Sequence, residues 1–235
     1  AARLRDDFLK QAETLILEKR TKNLLDVLSV AADRFNEICR DVHCPKVGVV
    51  GEIFLKFNPF AQKNVIGWLT EQGIEVVPSV LTDFFMQNFV NRKVRVESCI
   101  QKSVMPDFVY KSAYKIIGKQ IGKFNKVGMN FRYFIPFKDI FEEAADARKV
   151  ISLNAQFGEG WLLPAEIMSY ARQGIFNVIS LQPFGCIANH IVSKGVEKRI
   201  KYFFPEMNIL SLDFDSGVSD VNITNRLLLF IDHLK

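Results

Sequence analysis

Four short stretches of this chain combine residue types that can do chemistry with positions at the ends of apolar runs. Glu52 follows directly on Lys46-Val47-Gly48-Val49-Val50-Gly51. Its carboxylate either faces a crevice or accepts N–H bonds from the loop it opens. Cys186 closes Gln182-Pro183-Phe184-Gly185-Cys186. A thiolate there can ligate iron or act as a nucleophile, and a plain buried thiol is the competing reading. His190 stands four residues on, at the start of a helical pattern whose dipole favours a neutral imidazole. It is a candidate base or ligand, or a hydrogen-bonded structural residue. Asp213 and Asp215 alternate in Asp213-Phe214-Asp215-Ser216-Gly217. Paired carboxylates bind a cation or share a proton, and Asp-x-Asp-x-Gly is also ordinary turn chemistry. Upstream, Gly158-Glu159-Gly160-Trp161 offers close backbone approach and an aromatic stacking face. Asn222 and Asn225 read as caps or braces of the last helix.

The elements that must position these residues follow from apolar spacing. The short β-branched run at 46–50 reads as a strand buried on both faces and 74–77 as a second buried strand, as in a parallel sheet, while 177–181 and 208–212 read as further strands. Helical periods at 63–72, 165–172, 190–203 and 221–234 alternate with them. The first two strands and the helix between them form a β-α-β unit. Residues 1–45 read as an N-terminal helical segment, and 46–235 as an α/β domain carrying a helical insertion over about 79–150. The expected class is α/β, with a Rossmann-like doubly wound, mostly parallel sheet and an inserted helical subdomain. In such sheets ligands bind beyond the carboxyl ends of the strands, so the chemistry-bearing stretches are expected on one rim.

Composition narrows the function classes. With 49% hydrophobic and 24% charged residues the chain is an ordinary globular sequence, not a disordered one. No apolar run approaches a membrane span, and the charged start is no secretory signal. Cys39, Cys44, Cys99 and Cys186 lack the spacing of a disulfide scaffold, so reduced thiols and a cytoplasmic location are expected. Cys39 and Cys44 form an isolated C-x4-C pair, a weak zinc signal. The absence of an initiator Met leads us to expect a processed chain or a piece of a larger protein.

The net charge of +5 is unevenly spread. Between Arg92 and Lys138 eleven basic residues face only Glu97 and Asp107. Lys111, Lys115, Lys119 and Lys123 step by four and form a stripe on one helix. An acidic partner or a CoA thioester fits that stripe; nucleic acid is not favoured, since no recognition motif accompanies the charge. No Walker loop, G-x-G-x-x-G, G-x-S-x-G or H-E-x-x-H occurs in the chain.

Taken together in order, Gly51-Glu52-Ile53-Phe54-Leu55-Lys56-Phe57-Asn58-Pro59-Phe60, Gly158-Glu159-Gly160-Trp161-Leu162-Leu163, Gln182 through His190, and Asp213 through Gly217 followed by Asn222 carry a family likeness. They resemble the C-terminal region of large acyl-CoA dehydratase activase-related proteins, which is similar to the 2-hydroxyacyl-CoA (2-hydroxyglutaryl-CoA) dehydratase D-component family. Ser216 stands where that pattern often has Pro. The resemblance covers nearly everything from Lys46 onward. It implies a parent of anaerobic metabolism with paired α/β domains and a [4Fe-4S] cluster in the cleft between them. It further implies a fused or partner actin-like ATPase activase module that drives low-potential electrons. On that reading Cys186 is the metal ligand, with Gln182, Gly185, Asp213 and Asp215 lining the cofactor side and Glu52 and His190 as candidate catalytic groups. The remaining cluster ligands would come from outside this chain, from the other half of the parent, so the fragment alone is expected neither to complete a cluster nor to be active. The alternative is a non-enzymatic docking or regulatory domain that uses the basic helix.

Overall fold

Four short segments with apolar runs form strands, and all four run parallel. In a computed structural model that describes residues 1–103, 106–215, 217 and 219–234, the strands are β1 (Lys46–Gly51), β2 (Glu75–Pro78), β3 (Asn177–Pro183) and β4 (Asn208–Phe214), ordered β2-β1-β3-β4. The chain is thus a mixed α/β protein. β3 and β4 each run two residues past their expected ends. Gln182 pairs with Asp213 and Pro183 with Phe214, so the parallel ladder continues into residues that the apolar pattern alone leaves outside.

The chain divides into two compact units, 1–42 with 103–138 and 43–102 with 139–235. The region expected as one insertion is therefore divided. Helices α5 (Leu81–Glu97) and α7 (Ile140–Val150) belong with the sheet, while α6 (Asp107–Gly128) belongs with α1 (Ala2–Leu17) and α2 (Leu24–Ile38). The reason lies in burial. Met86, Val90 and Val94 of α5 and Ile140, Ala144 and Ala147 of α7 are all buried, whereas α6 buries only Gly128 among its residues.

In the first unit α1 and α2 are separated at Lys19, whose φ of 60° stops the first helix. Phe35 meets Phe8 on one side and Phe131 on the other, at ring distances of 6.4 Å each. Asn36 fixes the turn after α6: its amide donates to Asn130 O at 2.7 Å, and its oxygen accepts from Arg132 N–H at 3.1 Å. Lys111, Lys115, Lys119 and Lys123 all lie exposed along α6, and no ion pair engages them among the described residues.

In the second unit the period-two alternation of the strands sorts side chains between two faces. Val47, Val49, Ile179, Leu181, Leu212 and Phe214 share one apolar cluster with residues of α4 (Val65–Glu71) and α10 (Asp220–Asp232). On the other face lies α8 (Leu162–Arg172). Gly48 makes this packing feasible: a Cβ there would stand 2.6 Å from the Tyr170 ring. The Tyr170 hydroxyl donates to Val77 O at 2.7 Å. Burial, together with the nearby carboxylates Glu166, Glu143 and Asp83, holds the Tyr170 hydroxyl well above its ordinary range, so it stays protonated as a donor. Among the described residues no helix is long and apolar enough to cross a membrane.

Candidate functional site

The carboxyl end of β1 lies beside the carboxyl end of β3, because Gly51 is the register partner of Leu181. β1 is followed by a connection to β2 on its other side, so strand order changes direction between β1 and β3. That is the position at which parallel sheets open a crevice. The segments carrying Glu52 and Cys186 leave the sheet along this edge, and Asp213 lies on the last rungs of the ladder at the carboxyl end of β4.

Glu52 is held by its own helix. Its N–H donates to Leu181 O at 3.0 Å, and its carboxylate accepts from Leu55 N–H at 3.0 Å as the N-cap of α3 (Ile53–Phe57). Of the two readings open for it, the geometry matches the carboxylate that accepts from the loop it opens. Glu159, from the Gly-Glu-Gly-Trp stretch, is buried beside it and accepts from Ile53 N–H at 2.8 Å. Two carboxylates thus cap the same short helix. Gly160, with φ 39°, admits the close approach of Ala155 O, with which any Cβ would collide. Trp161 is not a stacking face. Its ring is fully buried, and its indole N–H donates to Asn91 Oδ1 at 2.7 Å, because α5 and α8 close over it.

After β3 the chain turns tightly. Cys186 N–H donates to Pro183 O at 3.2 Å, and Gly185 has φ 81°, the conformation that the third position of such a turn demands. A Cβ on Gly185 would meet open space, so this glycine serves the turn itself. Cys186 is half-buried at the turn's end. The next segment, Ala188–Ser193, is a π-helix that runs into α9 (Lys194–Phe203). π-turns accompany functional sites often enough to mark this one. The apolar period reads as plain helix here, and the wider turn places both Asn189 and His190 near the strand ends.

Gln182, Asp213, His190 and Lys194 converge behind that turn. Gln182 Nε2 donates to Asp213 Oδ1 at 2.6 Å, and Lys194 Nζ lies 3.4 Å from both Asp213 oxygens. His190 Nε2 is 3.5 Å from Asp213 Oδ1, beyond a well-made hydrogen bond. The fully buried Asn189 donates to Leu181 O at 3.4 Å. Asp215 is directed elsewhere: it accepts from Gly217 N–H at 2.6 Å, closing its own turn. The two aspartates thus take different partners. Ser216 lies outside the described residues. Asn222 and Asn225 are exposed on α10. Replacing Asp213 by Ala leaves the buried Gln182 amide without its acceptor. The expected cost is about 1–3 kcal/mol, read as a lowered urea midpoint with unchanged slope.

The sequence pattern gives less warning of a second polar cluster under the same rim. Lys56 and Glu166 are both buried, with Nζ 3.0 and 3.3 Å from the two carboxylate oxygens. Burial raises the Glu166 carboxyl above its ordinary range, and the Lys56 charge pulls against that rise without cancelling it. Neither residue is among those singled out above for chemistry. A signal was available: each ion interrupts an otherwise apolar segment, Ile-Phe-Leu-Lys-Phe in one case and Leu-Leu-Pro-Ala-Glu-Ile-Met in the other.

No family model, curated protein or solved structure matches this chain. Its own residues therefore carry the metal question. Among the described residues no three His, Cys, Asp or Glu side chains are grouped to hold a metal ion. Cys186 is the thiol on the rim; Cys44 precedes β1 at that strand's opposite end, and Cys99 follows α5. A cluster of the usual four-thiolate kind does not fit this chain by itself.

Proposed function

We propose that this chain is one α/β half of a 2-hydroxyacyl-CoA dehydratase/activase-like protein, and that its rim contributes one thiolate, Cys186, to an iron-sulfur centre completed by residues outside the chain. The sheet belongs on this reading to the Rossmann-like doubly wound class, which the strand order β2-β1-β3-β4 supports. The natural setting is cytoplasmic, with an actin-like ATPase activase module and a CoA thioester as partners.

One observation carries the proposal. Four stretches scattered between Gly51 and Asn222 supply the resemblance, and their residues bond to one another at a single edge. Glu159 holds Ile53, Glu52 N–H donates to Leu181 O, and Asp213 holds Gln182, four residues before Cys186. The rim presents Cys186 on a tight turn between these fixed points. Glu52 and Glu159 orient the short helix beside it, and Lys194 offsets the Asp213 charge behind it. No electron-transfer step is assigned to residues of this chain alone.

The test is reconstitution of the natural full-length protein with iron and sulfide under anaerobic conditions. The wild type is expected to turn brown and to bind about four irons per site. Cys186→Ser should lose a large part of that iron, while Cys99→Ser, on a thiol away from the rim, retains it. Equal iron content and equal visible absorption in wild type and Cys186→Ser defeat the proposal.

A further inference from the structure

Between α5 and α7, away from Cys186, two cavities of the sheet-bearing unit adjoin. One has a volume of about 260 Å3 and is walled by Val90, Val94, Phe141, Ala144 and Leu153. The other, of about 430 Å3, shares Val94, Arg148 and Leu153 with it and is edged by Ser98, Ser152 and Asn154. The smaller cavity has mostly apolar walls with Lys93 and Arg148 at them, and the larger one is polar and cationic.

The charge is specific. Arg148 of α7 and Arg199 of α9 line the same larger cavity from different helices. Both are exposed, and neither forms an ion pair among the described residues. Glu97 is the acid of the lining, and its carboxylate already faces Lys93 at 3.8 Å. Neutral donors add to the two guanidiniums. Asn154 lines the same cavity, and its Oδ1 accepts from Ser98 Oγ at 3.3 Å, which leaves its amide N–H groups as the donors. Two guanidiniums and an amide offer more donors than the two oxygens of a carboxylate can use. A three-oxygen dianion matches them better.

We propose that this double cavity binds an amphipathic phosphate: a short unbranched alkyl chain against Val90, Val94 and Leu153, ending in a phosphate monoester held by Arg148 and Arg199. The site is independent of the metal reading above, since no residue is common to both.

Octyl phosphate, titrated calorimetrically below its micelle concentration, is the probe, with inorganic phosphate and octanol as its two halves. Octyl phosphate is expected to bind at least about tenfold more tightly than either half, since a few buried methylenes suffice for that factor over phosphate and the charge-assisted bonds to the guanidiniums for that over octanol. Arg148→Gln and Arg199→Gln should each weaken it by about tenfold, and added salt should weaken the wild type. Both arginines are exposed, so the variants should unfold at the wild-type temperature, which separates a lost site from a lost fold. Cosedimentation with phosphatidic acid vesicles, abolished in the double variant, supports the site with a lipid as the phosphate source. Binding of monomeric octyl phosphate without cosedimentation supports it with a soluble ligand. Octyl phosphate that binds no better than octanol, or equally well to the double Arg variant, overturns it.

Discussion

Lys56→Met is expected to cost about 3–5 kcal/mol of folding stability at neutral pH, the range for removing one partner of a buried ion pair. The cost comes from what remains. Glu166 stays buried with its largest favourable influence gone, since both the charge and the hydrogen bonds of Lys56 lower its pKa. The loss should depend on pH. In the folded wild type the Glu166 pKa is already raised above its ordinary 4.5 by burial. A carboxyl of this kind favours folding most when it is protonated in both states, below 4.5, and that contribution is lost as pH rises through the folded value. Removing Lys56 raises the folded value further and so enlarges the fall. The stability gap between wild type and variant should therefore be small near pH 4.5 and widest at neutral pH. Lys56→Met/Glu166→Leu should recover most of the loss, because exchanging a whole buried pair for apolar groups is often neutral or better. Urea titrations at several pH values check this. A single variant within about 1 kcal/mol of wild type at neutral pH, or a loss that does not vary with pH, contradicts the ion-pair account.

The central strands β1 and β3 were legible because burial on both faces writes itself as short apolar runs, and Val47 to Val50 or Val178 to Leu181 can hardly be read otherwise, whereas the edge strands β2 and β4 are only partly buried. That the chemistry-bearing loops share an edge followed from parallel pairing. What the loops do there was less legible, since it depends on partners distant in sequence. Glu159 shows this well: its place in Gly-Glu-Gly-Trp invites a ligand-loop reading, yet its carboxylate binds Ile53 N–H, 106 residues away. Trp161 similarly reads as an exposed stacking ring until Asn91 takes its N–H. The division of residues 79–150 was hidden for a different reason. α5 and α7 are charged helices like α6, and only the burial of one stripe on each distinguishes sheet-covering helices from one that buries almost nothing.

The polar groups behind Cys186 have a consequence for how the rim holds its shape. Leu181 O accepts from Glu52 N–H and from the Asn189 amide, so one carbonyl ties the end of β1 to the π-turn. Asp213 then ties the end of β3 to α9 through Gln182 and Lys194. These bonds lie within or next to buried surface, where each is costly to leave unmade. The rim is accordingly a cooperative unit, and disturbing the Leu181 carbonyl should displace Glu52 and Asn189 together.

Gly51→Ala delivers that disturbance, and its expected cost is about 3 kcal/mol or more. Gly51 has φ 140°, a conformation that side chains rarely adopt, and a Cβ there would overlap Leu181 O directly. Neither problem has a cheap remedy, because the obstacle is the backbone of the adjacent strand and not the end of a flexible side chain. Gly174→Ala separates the two contributions. Gly174 also has a positive φ, 75°, but an added Cβ would meet nothing within 4 Å. That variant should cost only about 1 kcal/mol, the backbone penalty alone. The difference between the two variants measures the collision with Leu181. Hydrogen exchange should locate it: in Gly51→Ala the Glu52 amide, bonded to Leu181 O in the wild type, should lose protection well beyond the global loss of stability, while in Gly174→Ala it should follow the global change. If Gly51→Ala costs no more than Gly174→Ala and the Glu52 amide stays protected, β1 and β3 are not in the close contact from which the geometry of the rim is argued.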